Sequence, residues 1–241
     1  GLGIVQPEIR ILEAPLLYRS YAEVDLIKQK LQGEFAANFE KKGFVLLGFA
    51  EVGFVYFFSS VQMTGPQGFQ PLKMWAWKED PVAKTSMEAF GIKTVPLHLT
   101  DVNTGLETGM INAFYASPLA AIAFQWHSKV RYVLDYPMVN STGAFIIQKE
   151  IFNRLPDKHK QILRQASAKF CDALVQLARK NNAEALEELK TSGIEFETPT
   201  DNQKQLFLES AQKIYATNTG KLYSDELFQR VQEMLKEFRK Q

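Results

Sequence analysis

Short strand and helix signals alternate along residues 72–135, and this alternation constrains the fold more than any other feature of the sequence. Short segments that begin at Leu72, Lys93, Met110 and Val130 have the length of strands. Helical segments of roughly ten residues separate them. Such alternation is typical of βαβ units, so it predicts a largely parallel sheet in a compact α/β lobe.

The sequence before this lobe predicts one amphipathic helix and two short strands. Ser20 and Glu23 have the spacing of a capping box, and apolar residues follow at helical intervals. Residues 44–49 and 54–58 have the composition of buried strands. Residues 51–53 are predicted to form the turn between them.

The sequence after the lobe is predicted to be mostly helical. A helix is predicted over residues 157–190, far longer than the average globular helix of about 11–12 residues, and long enough to brace more than one lobe. Its predicted apolar stripe consists of Leu163, Ala166, Phe170, Leu174, Leu177, Leu186 and Leu189. Residues 194–197 alternate like an edge strand. Two amphipathic helices follow, the last with Ser224 as its cap.

Charge balance and cysteine content exclude several classes of protein. The 28 Lys and Arg residues and 27 Asp and Glu residues leave a formal net charge of +1, whereas nucleic-acid-binding proteins normally carry a clustered basic excess. The single cysteine, Cys171, excludes an intramolecular disulfide and a cysteine-based metal cluster. No apolar run reaches the ~20 residues of a membrane span. The chain begins with glycine and not with methionine, so we expect a processed or trimmed product.

The sequence contains no recognisable catalytic constellation. His98, His127 and His159 stand alone, without the spacing of a metal-binding motif. Neither a Gly-x-Ser-x-Gly motif nor a phosphate-binding glycine loop occurs, and residues 65–68 are interpreted as a plain turn. The sequence therefore predicts a protein that is not an enzyme and that has no catalytic residues, metal site or cofactor.

Six segments follow one another in the order found in one transport family. They are residues 13–20, 42–44, 69–75, 91–97, 104–112 and 155–160. Together they resemble the DctP-type solute-binding subunits of tripartite ATP-independent periplasmic (TRAP) transporters. The resemblance implies a two-lobed α/β periplasmic-binding-protein fold with a long bracing helix and a helical C-terminus. It also implies a periplasmic location and integral-membrane TRAP subunits as partners, with an additional periplasmic partner protein as a further expectation.

The same resemblance implies a division into domains. Residues 1–60 and 139–165 would form the first lobe, and residues 61–138 the second. The helix over 157–190 would span both lobes, and residues 194–241 would pack on them. The family's opening strands have no counterpart here, so the first lobe is expected to lack them and to expose unpaired strand edges. Membrane anchoring through a missing N-terminal part is a related expectation.

The sequence departs from the family where the resemblance implies carboxylate binding. The arginine at the end of the family's Gly-Leu-Lys-Ile-Arg strand is replaced by Trp75, and a second family arginine falls near Val55. The family's Asp-Gly-Gln-Glu segment corresponds to residues 112–115, and a family asparagine corresponds to Gln148. Because burying a carboxylate without a cationic partner is costly, we do not expect a carboxylate-specific site.

We predict instead a cleft between the lobes that is lined by aromatic residues and binds an apolar or amphipathic, lipid-like solute. Burial of apolar surface contributes ~25 cal/mol per Å², so such a ligand needs no ion pair. The predicted ligand-binding residues are Trp75, Phe54, Val55, Phe114, Tyr115, Ser117, Tyr18, Gln148 and Trp77. Four of them are candidates for the hydrogen bonds that orient the ligand: Tyr18, Tyr115, Ser117 and Gln148. The competing interpretation of Trp77, Phe57 and Phe114 is ordinary core packing.

Two other functions remain open from the sequence. One is a conventional organic-acid receptor with a relocated cation, either Arg19 or Lys73, although strand alternation points Lys73 away from the face of Trp75. The other is a protein-interaction module whose cleft is filled by its own aromatic residues.

Overall fold

The computed structural model of the chain describes residues 2–65, 68–78 and 80–240. The α-helices are α1 (Leu2–Val5), α2 (Tyr21–Lys41), α3 (Pro81–Ala89), α4 (Val102–Glu107), α5 (Pro118–Ala123), α6 (Lys149–Arg154), α7 (Asp157–Thr191), α8 (Asp201–Asn218) and α9 (Asp225–Phe238). The strands are β1 (Phe44–Ser59), β2 (Lys73–Trp77), β3 (Lys93–Leu97), β4 (Ala113–Ala116), β5 (Tyr132–Leu134), β6 (Val139–Gln148) and β7 (Glu195–Glu197). Short 3-10 helices cover Pro7–Glu13, Leu99–Asp101 and Trp126–Lys129.

The chain divides into two compact units. The first contains the residues up to Gly53, Asn140–Lys180 and the segment from Thr217 onwards. The second contains Phe54–Val139 and Asn181–Ala216. The boundaries fall inside β1, at the start of β6, inside α7 and near the end of α8. The four-part division expected from the sequence stays a prediction.

Helix capping in the first unit follows the sequence closely. The Ser20 hydroxyl accepts a hydrogen bond from the Glu23 amide at 3.3 Å and begins α2. The Glu23 carboxylate completes a different pattern from the predicted capping box, because it accepts from the Arg19 amide at 2.7 Å and from the Arg239 guanidinium. Ser224 caps α9 as predicted, accepting from the Leu227 amide at 3.1 Å.

Buried ion pairs connect α2, β1 and α7 within the first unit. The Glu51 side chain is fully buried, and its carboxylate accepts from Lys28 Nζ at 2.8 Å and from Arg179 Nε at 2.9 Å. Arg179 also makes a two-pronged pair with Asp25, at 2.6 and 2.7 Å. Burial lowers the pKa of Lys28, and the adjacent Glu51 charge opposes that decrease. Each buried charge therefore has an opposite charge at hydrogen-bond distance, as burial requires.

This network explains why the turn predicted over residues 51–53 is wrong. The structure forms one continuous strand, β1, where the sequence predicts two. A polar residue occurs at position 51 because the Glu51 carboxylate binds two buried cations, and not because the position faces water. Gly53 has a φ of +104°, which a residue without a Cβ adopts easily, so the strand continues through a local irregularity.

The long helix is confirmed as α7, but its predicted apolar stripe is partly wrong. Cys171 and Leu189 are buried, whereas Phe170 and Leu177 are each more than half exposed. Phe170 makes an edge-to-face contact with Phe145 of β6, with ring centroids 5.8 Å apart, and Phe145 is itself exposed. Amphipathic spacing identified the helix, but it could not identify which apolar positions have a packing partner in this chain.

The second unit contains a mixed sheet in the order β3-β2-β4-β1-β5-β7. β2 pairs in parallel with β3 and with β4, as the βαβ pattern predicts. The expectation of a largely parallel sheet is corrected at β1, which lies between β4 and β5 and runs antiparallel to both. β4, α5 and β5 form a crossover unit, and β1 occupies the space between its two strands.

Two element boundaries in this unit also differ from prediction. The strand expected from residue 110 begins at Ala113, because the Asn112 side chain closes the preceding loop through the Lys73 amide and the Pro71 carbonyl. The helix expected over 118–127 ends at Ala123, and Gln125 follows with a left-handed φ of 59°. In the part of the chain that the structure describes, no helix is both long and apolar enough to cross a membrane.

We expect Glu51→Gln to destabilise the protein by ~3–5 kcal/mol, since it leaves Lys28 and Arg179 buried without the charge that both bind. Urea unfolding followed by circular dichroism measures the change. Glu150→Gln is the matched control, because Glu150 forms an exposed pair with Arg154 and such pairs contribute ~0–1 kcal/mol. Equal stability of the two variants would contradict a stabilising role for the buried network.

Candidate ligand-binding site

Trp75 lies at the centre of β2 and is almost completely buried, with 5% of its surface exposed. Its indole Nε1 donates a hydrogen bond to the Leu97 carbonyl of the adjacent strand β3 at 3.1 Å. The ring packs face to face with Tyr115, with centroids 5.3 Å apart, and edge to face with Trp126 at the same distance. The Trp75 ring is therefore packed against protein side chains, and its indole N–H has an acceptor within the same unit.

Tyr115 connects this buried cluster to the end of β2. Its phenolic oxygen accepts a hydrogen bond from the Trp77 amide at 3.4 Å. Burial raises the pKa of Tyr115 to about 12; the bond from Trp77 opposes the increase and the negative charge of Asp80 adds to it. Tyr115 is therefore a neutral phenol at physiological pH, in surroundings that disfavour another negative charge.

Phe114 is fully buried and belongs to the core of the second unit. It stacks on Phe58 at 4.8 Å and contacts Trp126 edge to face at 5.3 Å. Phe57 is also buried, against Phe69 at 5.7 Å. For Phe114 and Phe57 the geometry is that of core packing, the competing interpretation raised by the sequence.

Trp126 is a member of this cluster that sequence reasoning missed. It is buried and contacts Trp75, Phe114 and the half-exposed Phe124, the last as a stacked pair at 4.9 Å. Its position depends on the left-handed Gln125, which ends α5 before the helix reaches Trp126. Because helical spacing continues through this segment, the turn could not be predicted from periodicity.

Trp77 differs from the other predicted aromatic residues because 46% of its surface is exposed. It is the last residue of β2, at the carboxyl end of a strand that has parallel neighbours on both sides. Ligands of open α/β sheets bind outside the carboxyl ends of such strands. Of the predicted aromatic residues near that edge, Trp77 is exposed and Tyr115 is partly buried.

The remaining predicted residues of the second unit have structural surroundings. The Ser117 hydroxyl caps α5 by accepting from the Ala120 amide at 3.3 Å. Phe54 and Val55 are buried in β1, and the Val55 carbonyl accepts from the Met138 amide at 2.9 Å. None of these three side chains lies on an exposed surface.

Tyr18 and Gln148 belong to the first unit. Tyr18 is buried, and its hydroxyl donates to the Ile11 carbonyl at 3.1 Å. Gln148 is exposed and precedes α6 without capping it through its side chain. The structure thus brings together Trp75, Tyr115, Phe114 and Trp77, whereas Tyr18 and Gln148 have separate environments.

The two cations considered as replacements for the family arginine have other neighbours. Lys73 Nζ donates to the Gly109 carbonyl at the amino end of β2, the opposite end of the strand from Trp77. Arg19 lies beside Glu23 in the first unit. Burial raises the pKa of the Glu23 carboxyl, but Arg239 and Arg19 together outweigh this effect and lower that pKa below its usual value. Among the described residues no group of His, Cys, Asp and Glu side chains is arranged to hold a metal ion.

Residues 1–221 match the model of the DctP family, described as bacterial extracellular solute-binding protein, family 7. The chain therefore belongs to this family, and the resemblance seen in the sequence is confirmed.

Sequence relatives and solved structures agree with this assignment. A solute-binding protein of Verminephrobacter eiseniae is 31% identical over 180 residues, which cover 73% of this chain and 51% of that protein. A TRAP periplasmic solute-binding protein of Ralstonia eutropha, solved with (S)-2-acetolactate, superposes with a TM-score of 0.89 at 18% identity, covering 98% of this chain and 76% of the other. One of Haemophilus influenzae, solved with L-gulonate, gives 0.87 at 21% identity, covering 97% and 77%.

These comparisons confirm the α/β periplasmic-binding-protein fold class predicted from the sequence. The chain spans about half the length of the curated relatives that it matches, 51% and 56% of the first two. Activity, solute and partners of the whole protein are therefore treated as proposals.

We expect Tyr115 to titrate near pH 12 in the folded protein, against 10.0 for an ordinary tyrosine. The folded state then holds one more proton than the unfolded state between these values, so this contribution to stability is lost as pH rises through that window. The difference in absorbance at 295 nm between the wild type and Tyr115→Phe measures the titration. In urea the same difference should move to an ordinary tyrosine midpoint. A folded-state midpoint near 10 would contradict the buried position of this phenol.

Proposed function

We propose that the protein is a periplasmic solute-binding receptor that delivers a small molecule to the membrane subunits of a TRAP transporter. The single observation that carries this proposal is the match of residues 1–221 to the DctP family model. A curated relative from Rhodobacter capsulatus is named a C4-dicarboxylate-binding periplasmic protein, which supports the periplasm as the compartment. A receptor needs a ligand-facing surface and no reacting groups, in keeping with the absence of a catalytic motif from the sequence.

We further propose that the ligand is apolar or amphipathic. Support comes from β2, where Trp75 stands at the sequence position of the family arginine, stacks on Tyr115 and lies two residues before the exposed Trp77. Arginine binds a carboxylate through two parallel charged hydrogen bonds, which an indole cannot supply. The Trp75 indole already donates to the Leu97 carbonyl, so it offers no donor to an anion. Apolar contact is the interaction that these rings can make.

A conventional organic-acid receptor is the competing proposal, and the ligands of the structural neighbours are the reason to consider it. The Ralstonia eutropha and Haemophilus influenzae proteins were solved with acetolactate and L-gulonate, both carboxylates. At 18% and 21% identity, however, these neighbours carry information about the fold and not about the ligand of this chain. A protein-interaction module filled by its own aromatic residues is the third possibility, supported by the dense packing around Trp75.

Ligand extraction distinguishes these three proposals. We expect native mass spectrometry of the protein purified without detergent to show a co-purifying molecule that organic solvent extracts and that has a long apolar portion. A co-purifying sugar acid or dicarboxylate would support the organic-acid receptor instead. If delipidated protein binds neither the uncharged 1-decanoylglycerol nor L-gulonate in isothermal titration calorimetry, the interaction module becomes the better explanation.

We expect Trp75→Arg to weaken binding of an apolar ligand at least tenfold and to increase binding of L-gulonate, because it restores a cation at the family position. Since this cation enters a buried cluster, Trp75→Phe is measured beside it as a variant that keeps an aromatic ring. Circular dichroism establishes that both variants are folded. Unchanged affinity for the apolar ligand in both folded variants would show that Trp75 does not contribute to the site.

A further inference from the structure

The long helix α7 carries a line of exposed apolar residues, all of them within the first unit. Ile162, Phe170 and Leu177 are each more than half exposed, and Ala166 and Ala173, which lie between them, are exposed as well. At about 100° of rotation per residue, these five positions fall within an arc of about 80° on the helix surface. They form one stripe, the α7 stripe, which extends over about four turns of the helix.

The side of α7 that packs on its own unit is a different one. Cys171 is buried and lies about 140° around the helix from the middle of the α7 stripe. Its Sγ is 2.5 Å from the position that a Cβ at Gly48 would occupy, so α7 is packed closely on β1 at this point. Phe145 of β6, which is itself exposed, contacts Phe170 at the border of the stripe. The packing of α7 on its unit therefore leaves the α7 stripe facing outward.

The α7 stripe is large enough to act as an interaction surface. Its members are neighbours at spacings of three and four residues, so together with Phe145 they form one continuous patch. This patch exposes on the order of 400 Å² of apolar surface, within the range at which patches on soluble proteins are often functional. Two such patches in contact would bury on the order of 800 Å², an area typical of weak and reversible association.

The order of residues in the α7 stripe is symmetric about its midpoint, which falls directly before Phe170. Ile162 and Leu177 are equally far from this midpoint along the chain, and so are Ala166 and Ala173. If two copies of α7 cross antiparallel at the midpoint, each large aliphatic residue at one end meets a large aliphatic residue of the second copy. Each alanine likewise meets an alanine, which allows the two helix axes to approach closely. An interface between identical copies on a two-fold axis requires this kind of self-complementarity.

We propose that the α7 stripe is the surface through which two copies of this chain associate, with their α7 helices antiparallel about a two-fold axis. The formal net charge of +1 supports a second copy as the occupant, since two nearly neutral chains do not repel each other at long range. This inference goes beyond the proposed function, because it concerns α7 and requires no particular solute.

Sedimentation velocity tests the association over protein concentrations from about 5 to about 500 µM, which include the affinity expected for a small interface. We expect a reversible equilibrium between monomer and dimer with a Kd on the order of 100 µM. Phe170→Glu places two carboxylates near the two-fold axis, and we expect it to weaken the dimer at least tenfold. Leu206→Glu is the matched control, because Leu206 of α8 is exposed to a similar extent and lies outside the stripe.

Oxidative crosslinking tests the antiparallel arrangement. Ala166→Cys and Ala173→Cys are prepared as separate variants, and each is oxidised alone and in a mixture with the other. We expect a disulfide-linked dimer in the mixture, because position 166 of one copy lies opposite position 173 of the second. Each variant alone is expected to crosslink at least fivefold less, since equivalent positions are then about 10 Å apart along the helix axis. Non-reducing gel electrophoresis measures the yield.

Each result supports or overturns a defined part of the proposal. A protein that remains monomeric over the whole concentration range overturns the dimer. A dimer that persists in folded Phe170→Glu, as established by circular dichroism, overturns the assignment to the α7 stripe. Efficient crosslinking within either single variant, or none in the mixture, overturns the antiparallel arrangement. The proposed receptor function is tested separately, by ligand extraction.

Discussion

The hydrogen bond from the Trp75 indole to the Leu97 carbonyl is the interaction on which the aromatic cluster of the second unit depends. It fixes the ring in the plane where Tyr115 stacks on one part of it and Trp126 contacts another. A buried tryptophan whose N–H lacks an acceptor would carry a desolvation cost, and Leu97 removes that cost. Since β2 and β3 are paired in parallel at this point, the sheet register itself provides the acceptor.

The same packing accommodates a tryptophan where the family resemblance implies an arginine. Proteins of 18–21% identity share this fold, so most core positions can change as long as the pattern of buried strands and helices is kept. A tryptophan at the position of a ligand-binding arginine is a larger change, because it replaces a charged fork by an apolar ring. Here the neighbouring aromatic residues form a cluster that accommodates that ring, so the change in chemistry is supported by the surrounding packing.

Much of this fold could be predicted from the sequence, because periodicity and capping are local signals. The parallel pairing of β2 with β3, the extent of α7 and the caps at Ser20 and Ser224 all follow from residues near to each other in the chain. The turn expected over residues 51–53 was wrong for a long-range reason. Glu51 binds Lys28 and Arg179, and nothing local to residue 51 reveals either partner.

The site could be predicted only in part, for a related reason. Strand alternation and the family resemblance drew attention to Trp75 and Tyr115, which do contact each other. They could not separate the buried Phe114 from the exposed Trp77, because both are aromatic residues in strands of one sheet. Trp126 was missed altogether, because the helical spacing of residues 118–127 gives no indication of the left-handed Gln125 that ends α5. That turn places Trp126 against Trp75 and Phe114, so the composition of the aromatic cluster depends on a backbone conformation that periodicity does not reveal.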